Sequence, residues 1–155
     1  MIAHIAARVG MAVLGYFAGI LTGFAAFPCA LALIGLMFPG NQLWEWLGLG
    51  PVMMVAVPIF FFFLMWITVI FTFVQAIIAH ALTEYFALRR LWVHLGLAVA
   101  IALSAGLILY PQWFAEMSLD RWLFSVAALI GALTGGLVYW AIAGRNAGLR
   151  AAAPA

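Results

Sequence analysis

Charge is what this chain of 155 residues has least of: only 6% of it is Asp, Glu, Lys or Arg, against a hydrophobic share of 70%. A soluble domain usually carries about a quarter charged residues. A chain this short has too much surface for its volume to hide so much apolar area from water. The scarcity excludes a soluble fold and leaves lipid as the solvent, in keeping with a mean hydropathy of +1.26. Lysine is missing altogether, and all six basic residues are arginines. Together with abundant Ala and Gly, that bias suggests a bacterial, GC-rich coding sequence. The net charge of +2 and pI near 9.1 do not point to nucleic acid, which is not expected as a partner. In a membrane chain the few arginines report topology instead.

Cysteine is nearly absent too. Cys29 is the only one, so no internal disulfide can form and a multi-cysteine metal site is excluded. Ionisable side chains are missing from the middle of every apolar stretch. That argues against a proton relay, an ion-coupled carrier or a voltage sensor acting alone, since such functions need charge at depth. Long connections are lacking as well, which leaves no room for a soluble catalytic domain. No catalytic pair of recognisable spacing occurs, and Ser104 has no evident base beside it. The expectation is a non-enzymatic protein with no cofactor.

What is present is four apolar runs of the length a spanning helix needs, about 20 residues. They cover roughly 9–38, 52–79, 91–110 and 123–143. The fold class expected is an all-α membrane protein: one four-helix transmembrane bundle over 1–150 with short loops, and a flexible tail at 151–155. Pro39-Gly40-Asn41 ends the first run; Gly48, Gly50 and Pro51 lead into the second; Pro111-Gln112 closes the third. Pro28 and Pro58 are expected kink points, because each removes a backbone donor from its helix. The first run is far longer than the apolar core of a signal peptide, and Phe27 before Pro28-Cys29 is not the small residue that precedes a lipidated cysteine. It reads as an uncleaved helix.

The arginines set an orientation. Arg8, Arg89, Arg90, Arg145 and Arg150 fall at the N-terminus, the second connection and the C-terminus, whereas the other side holds Glu45, Glu116, Asp120 and Arg121. The positive-inside rule then puts both termini in the cytoplasm. Trp44, Trp46, Trp113 and Trp122 suit the outer interface, and Tyr85, Trp92, Tyr139 and Trp140 the inner one.

Gly15, Gly19 and Gly23 recur every four residues, and Gly131 and Gly135 repeat the spacing in the fourth helix after Ala127. Such faces let another backbone approach closely. They serve either the bundle's own packing or an interface with another subunit or a second copy. Gly96, Ala100 and Ser104 form a milder stripe in the third helix. The second helix has no glycine between 52 and 79 and is bulky, which suits contact with lipid or a larger partner.

Polar atoms at depth are few. Thr68, Thr72 and Gln75 share one face at i, i+4 and i+7, either as interhelical glue or as the lining of a small polar path. Near the inner surface, His80, Glu84, Arg89, Arg90 and His94 cluster, with His4 on the same side. Two histidines and a carboxylate suit a divalent metal, and His80 with His94 suits a haem between helices. The plainer readings are headgroup contact, a Glu84–Arg pair, or snorkelling side chains, and no metal site is assigned. Arg89 and Arg90 beside Tyr85, Phe86 and Leu91 make a basic, aromatic turn that attracts anionic headgroups.

The segment 135–148, Gly-Gly-Leu-Val-Tyr-Trp-Ala-Ile-Ala-Gly-Arg-Asn-Ala-Gly, resembles the closing segment of small, uncharacterised four-helix inner-membrane proteins of alphaproteobacteria. The stretch 79–95, with Arg89 just before the third helix, is also similar to theirs. In that group an acidic residue often stands near the place of His80. The resemblance implies a lineage and an inner-membrane location, with no known activity. In size and topology the chain is also similar to the small membrane subunit of tripartite carboxylate transporters. Three functions follow as expectations: an accessory or scaffold subunit, a small transporter or transporter membrane subunit, and a haem- or metal-binding redox anchor.

Overall fold

The computed structural model describes residues 2–37, 51–109, 111 and 118–148. Four long helices account for most of them: α1 (Ile2–Met37), α2 (Pro51–Tyr85), α3 (Leu91–Leu109) and α4 (Leu119–Ile142), followed by a 3-10 turn at Gly144–Asn146. Each of the four is long and apolar enough to cross a membrane. The chain is an all-α, four-helix integral membrane protein. At 1.5 Å per residue, the 36 residues of α1 extend roughly 54 Å, well beyond a hydrocarbon core of about 30 Å. α1 therefore tilts or projects from the bilayer. It also runs through Pro28 without a break.

Successive helices are antiparallel. α1 pairs most closely with α4, α4 then packs on α3, and α2 touches α1 and α3 more lightly. The order around the bundle is thus α1, α4, α3, α2. Lipid tails are as apolar as the side chains they surround, so no hydrophobic effect drives these helices together, and close fit must do so. Between α1 and α4 that fit comes from the small residues, and it continues toward the far end through Phe27, Ala30 and Ala127. There the Phe27 ring meets Phe124 edge-on at 4.8 Å.

Three helix ends lie well beyond the apolar runs read from the sequence, the first being the start of α1 at Ile2 rather than near residue 9. α2 continues to Tyr85, which brings His80 and Glu84 onto its last turns rather than into a loop. It stops in a Schellman-type cap: Leu88 N–H donates to Thr83 O at 2.9 Å and Ala87 N–H to Glu84 O at 3.3 Å. Ala87 takes the left-handed conformation at φ 52° that this motif requires. α4 begins at Leu119, where the Ser118 hydroxyl accepts from Arg121 N–H at 3.4 Å as an N-cap. Trp44, Trp46, Trp113, Glu45, Glu116, Arg150, the loop 38–50 and the tail 151–155 lie outside the described residues.

Candidate functional site

The polar residues gather at one end of the bundle, where the start of α1, the α2–α3 turn and the segment after α4 meet. Arg8 of α1 donates through Nη2 to Glu84 Oε1 of α2 at 2.6 Å. The other carboxylate oxygen, Oε2, accepts the backbone N–H of Gly148 at 2.8 Å. Side-chain exposure is 15% for Arg8 and 7% for Glu84, so this is an ion pair largely withdrawn from solvent. One carboxylate therefore ties the first helix, the second helix and the closing segment. Thr83, the neighbour of Glu84, is 1% exposed and caps its hydroxyl on His80 O at 2.9 Å.

Both histidines are engaged by protein. His80 Nδ1 shares a 2.9 Å hydrogen bond with the Tyr139 hydroxyl of α4. His94 is 3% exposed, and its Nε2 lies 2.9 Å from Leu88 O. A carbonyl can only accept, so His94 Nε2 carries the proton. The ring sits over Gly144, where a Cβ would come within 2.7 Å of Cε1 and Nε2. Gly144 is thus the floor on which the imidazole rests.

The closing segment is held twice more. Arg89 Nε donates to Ala147 O at 2.7 Å, and Trp140 Nε1 donates to Arg89 O at 2.9 Å. Gly148, at φ 122°, turns under Ala87, whose Cβ would be 2.9 Å from a Cβ placed there. Residues 144–148 therefore fold back as a strap across the end of the bundle. Arg89 positions that strap, while Arg90 and Arg145 stand exposed beside it.

The mid-span polar residues join helices. Tyr16 of α1 donates to Val69 O at 2.9 Å and its hydroxyl lies 3.0 Å from Thr72 Oγ1. Thr68 and Thr72 each donate back to the carbonyl four residues earlier, Leu64 O and Thr68 O, both at 2.8 Å. Gln75 Oε1 accepts from Ser104 Oγ of α3 at 2.7 Å. Ser104 is paired with an amide, not with a base.

The glycines read as a packing face meet one another. A Cβ on Gly19 or Gly23 would stand 2.8 Å from the carbonyl oxygen of Gly135 or Gly131 respectively, and Gly15 lies against Tyr139 and Ala143. The milder α3 stripe behaves differently. Gly96 faces open space, and the α3–α4 contact is made instead by Gly136, where a Cβ would meet Ala98 Cβ at 2.7 Å. The outward surface of α2 is a row of exposed bulky groups, among them Phe62, Phe63, Trp66, Ile70 and Val74.

Among the described residues, no three His, Cys, Asp or Glu side chains are placed to hold a metal. The side chain of His4 lies outside the described residues. His80 and His94, the pair considered for haem, bind a tyrosine hydroxyl and a backbone carbonyl through the nitrogens given above.

Several structural partners were not singled out from the sequence: Tyr16, Thr83, Tyr139 as a histidine partner, Gly144 and Gly148. A signal existed for Tyr16, and another for which arginine pairs with Glu84. A tyrosine hydroxyl in lipid needs a partner, and Tyr16 has the Thr68–Thr72 face at its depth. Arg8 inside a helix likewise needs an acid, and Glu84 is the sole carboxylate of the chain assigned to its side. Comparison with protein-family models, with curated proteins and with solved structures found no match.

Proposed function

We propose that this protein is a non-enzymatic accessory or scaffold subunit of a bacterial inner membrane, with both termini in the cytoplasm. The observation that carries the reading is the use made of its polar groups. Tyr16, Thr68, Thr72, Gln75, His80, Thr83, Glu84, His94 and Ser104 are each bonded to a neighbouring helix or segment or to their own backbone. Arg8 is bonded through Nη2, with its buried Nε left without a partner. A bundle closed in this way offers its outer surface, and α2 above all, to other membrane helices. Orientation rests on Arg8, Arg89, Arg90 and Arg145, which lie at one end with Glu84, and on the rule that places such an end inside. The resemblance to small alphaproteobacterial inner-membrane proteins adds to it: their closing segment corresponds to Tyr139, Trp140, Gly144 and Gly148, the residues that shut this end.

Purification in several mild detergents followed by native mass spectrometry tests the subunit role. A stoichiometric membrane partner or a second copy is expected. A clean monomer in every detergent would overturn it. Orientation is tested separately by C-terminal fusions: a fluorescent-protein fusion should glow and an alkaline phosphatase fusion should stay inactive. The transporter reading needs Thr68, Thr72 and Gln75 to line a route, and their bonds favour structural use instead. The redox reading is dismissed by an optical spectrum without a Soret band.

A further inference from the structure

The strap brings two basic segments together that are more than 50 residues apart in the chain. Arg89 bonds Ala147 O and Trp140 bonds Arg89 O, which holds the turn bearing Arg145 against the segment bearing Arg89 and Arg90. All three arginines fall just outside the apolar spans, which end at Tyr85 and Ile142 and resume at Leu91. That is headgroup depth. Around them the large aromatic surfaces of Trp92 (79% exposed), Tyr85 (70%) and Phe86 (60%) point outward, with Tyr85 and Phe86 edge-to-face at 4.9 Å. Trp and Tyr rings prefer the membrane–water boundary. The one described carboxylate at this end, Glu84, is already taken by Arg8 and Gly148 N–H, so it does not neutralise the patch.

We propose that Arg89, Arg90 and Arg145, collared by Tyr85, Phe86 and Trp92, form a binding site for the headgroup of an anionic phospholipid. The phosphate lies between the two basic segments, and the acyl chains run down beside the aromatic collar. Guanidinium groups bind phosphate oxygens through paired N–H donors, and the strap pre-positions Arg89 by occupying its Nε. The site depends on the chain being embedded in a membrane and not on the subunit role. It holds for whichever leaflet this end faces.

The experiment uses the full chain, delipidated in a non-ionic detergent and titrated with phosphatidylglycerol or phosphatidylcholine of the same acyl chains, with adducts counted by native mass spectrometry. The unchanged protein should retain phosphatidylglycerol preferentially. Arg90→Gln with Arg145→Gln should weaken that lipid roughly 30-fold, about fivefold per arginine, and leave phosphatidylcholine as it was. Arg90→Lys with Arg145→Lys should restore most of the preference and separates charge from folding. Equal retention of both lipids by the unchanged protein, or an undiminished preference in the Gln pair, would overturn the proposal. So would complete displacement of phosphatidylglycerol by millimolar inorganic phosphate, which would mark a free-anion site.

Discussion

Gly19 and Gly135 meet across the α1–α4 interface with no room for a methyl group on either. A Cβ built on Gly19 would lie 2.8 Å from Gly135 O, and one on Gly135 would lie 2.6 Å from Gly19 O. Gly23 and Gly131 repeat the arrangement one turn away, at 2.8 and 2.9 Å. Backbone therefore touches backbone over two turns. In lipid, where burial of apolar area supplies no drive, that closeness is what dispersion and weak Cα–H···O contacts need in order to hold helices together.

Gly135→Ala should force α1 and α4 apart and cost about 1–3 kcal/mol, the range for overpacking a fitted interior. Gly10→Ala is the control, since nothing lies within 4 Å of a Cβ there. It should be neutral or stabilising by up to about 1 kcal/mol, through helix propensity alone. Reversible unfolding in mixed detergent micelles measures both. Equal effects at the two positions would sink the packing account.

Glu84→Gln leaves Arg8 charged and without its carboxylate in a largely covered site. Removing one member of a buried pair costs about 3–5 kcal/mol, and the 15% exposure of Arg8 places this case at or below the lower end. Replacing both residues by Met removes the stranded charge and should recover part of the loss. A double substitution as damaging as the sum of the singles would contradict the pairing.

Gly144→Ala should push the His94 ring off its floor and break the bond to Leu88 O, at a cost of about 1–3 kcal/mol. The two positions should be coupled. In a cycle with His94→Ala, an interaction energy of about 0.5–3 kcal/mol is expected, because a shortened residue 94 no longer opposes the added methyl. Additive effects would show that the ring does not rest there.

Ala87 and Gly148 make opposite predictions. Ala87 occupies a left-handed conformation, so Ala87→Gly should stabilise the protein by about 1 kcal/mol by relieving its Cβ. Gly148→Ala should destabilise it, for it strains φ 122° and drives a methyl toward Ala87. Limited proteolysis of the C-terminal segment, alongside unfolding, distinguishes the two: cleavage should quicken only in Gly148→Ala.

Tyr16→Phe removes the hydroxyl that joins α1 to Val69 O and Thr72. Interhelical hydrogen bonds in membranes average about 0.6 kcal/mol and reach about 1.7, so a loss in that range is expected. Gln75→Leu should act similarly on the α2–α3 contact through Ser104. Loss of a transport phenotype in these variants with stability intact would instead favour a polar route.

Much of the fold was legible because it follows from composition. Four apolar runs between Pro- and Gly-rich breaks leave the backbone no choice but helix, since lipid offers no partner for a free N–H or C=O. Helix ends were less legible. The reach of α2 to Tyr85 depends on a cap in which an alanine takes a glycine's usual place, and nothing in Phe86-Ala87-Leu88 announces it. At the candidate site, His80, Glu84, Arg89, Arg90 and His94 could be grouped from spacing and side. Most of their bonds could not, apart from a Glu84–Arg pair, for the partners come from remote parts of the chain: Tyr139 for His80, Gly148 for Glu84, Ala147 for Arg89.

The sequence by itself determined that the chain lives in lipid and forms four helices, and it marked the small-residue stripes on two of them. These are properties of local composition and helical period. Only the tertiary structure decided which stripes meet. It set Gly19 on Gly135 and left Gly96 facing open space, because helix rotation about its own axis is settled by the fit of all neighbours at once. It also decided that Glu84 is shared between Arg8 and the closing strap, since a buried carboxylate must take whatever donors the folded chain brings within reach.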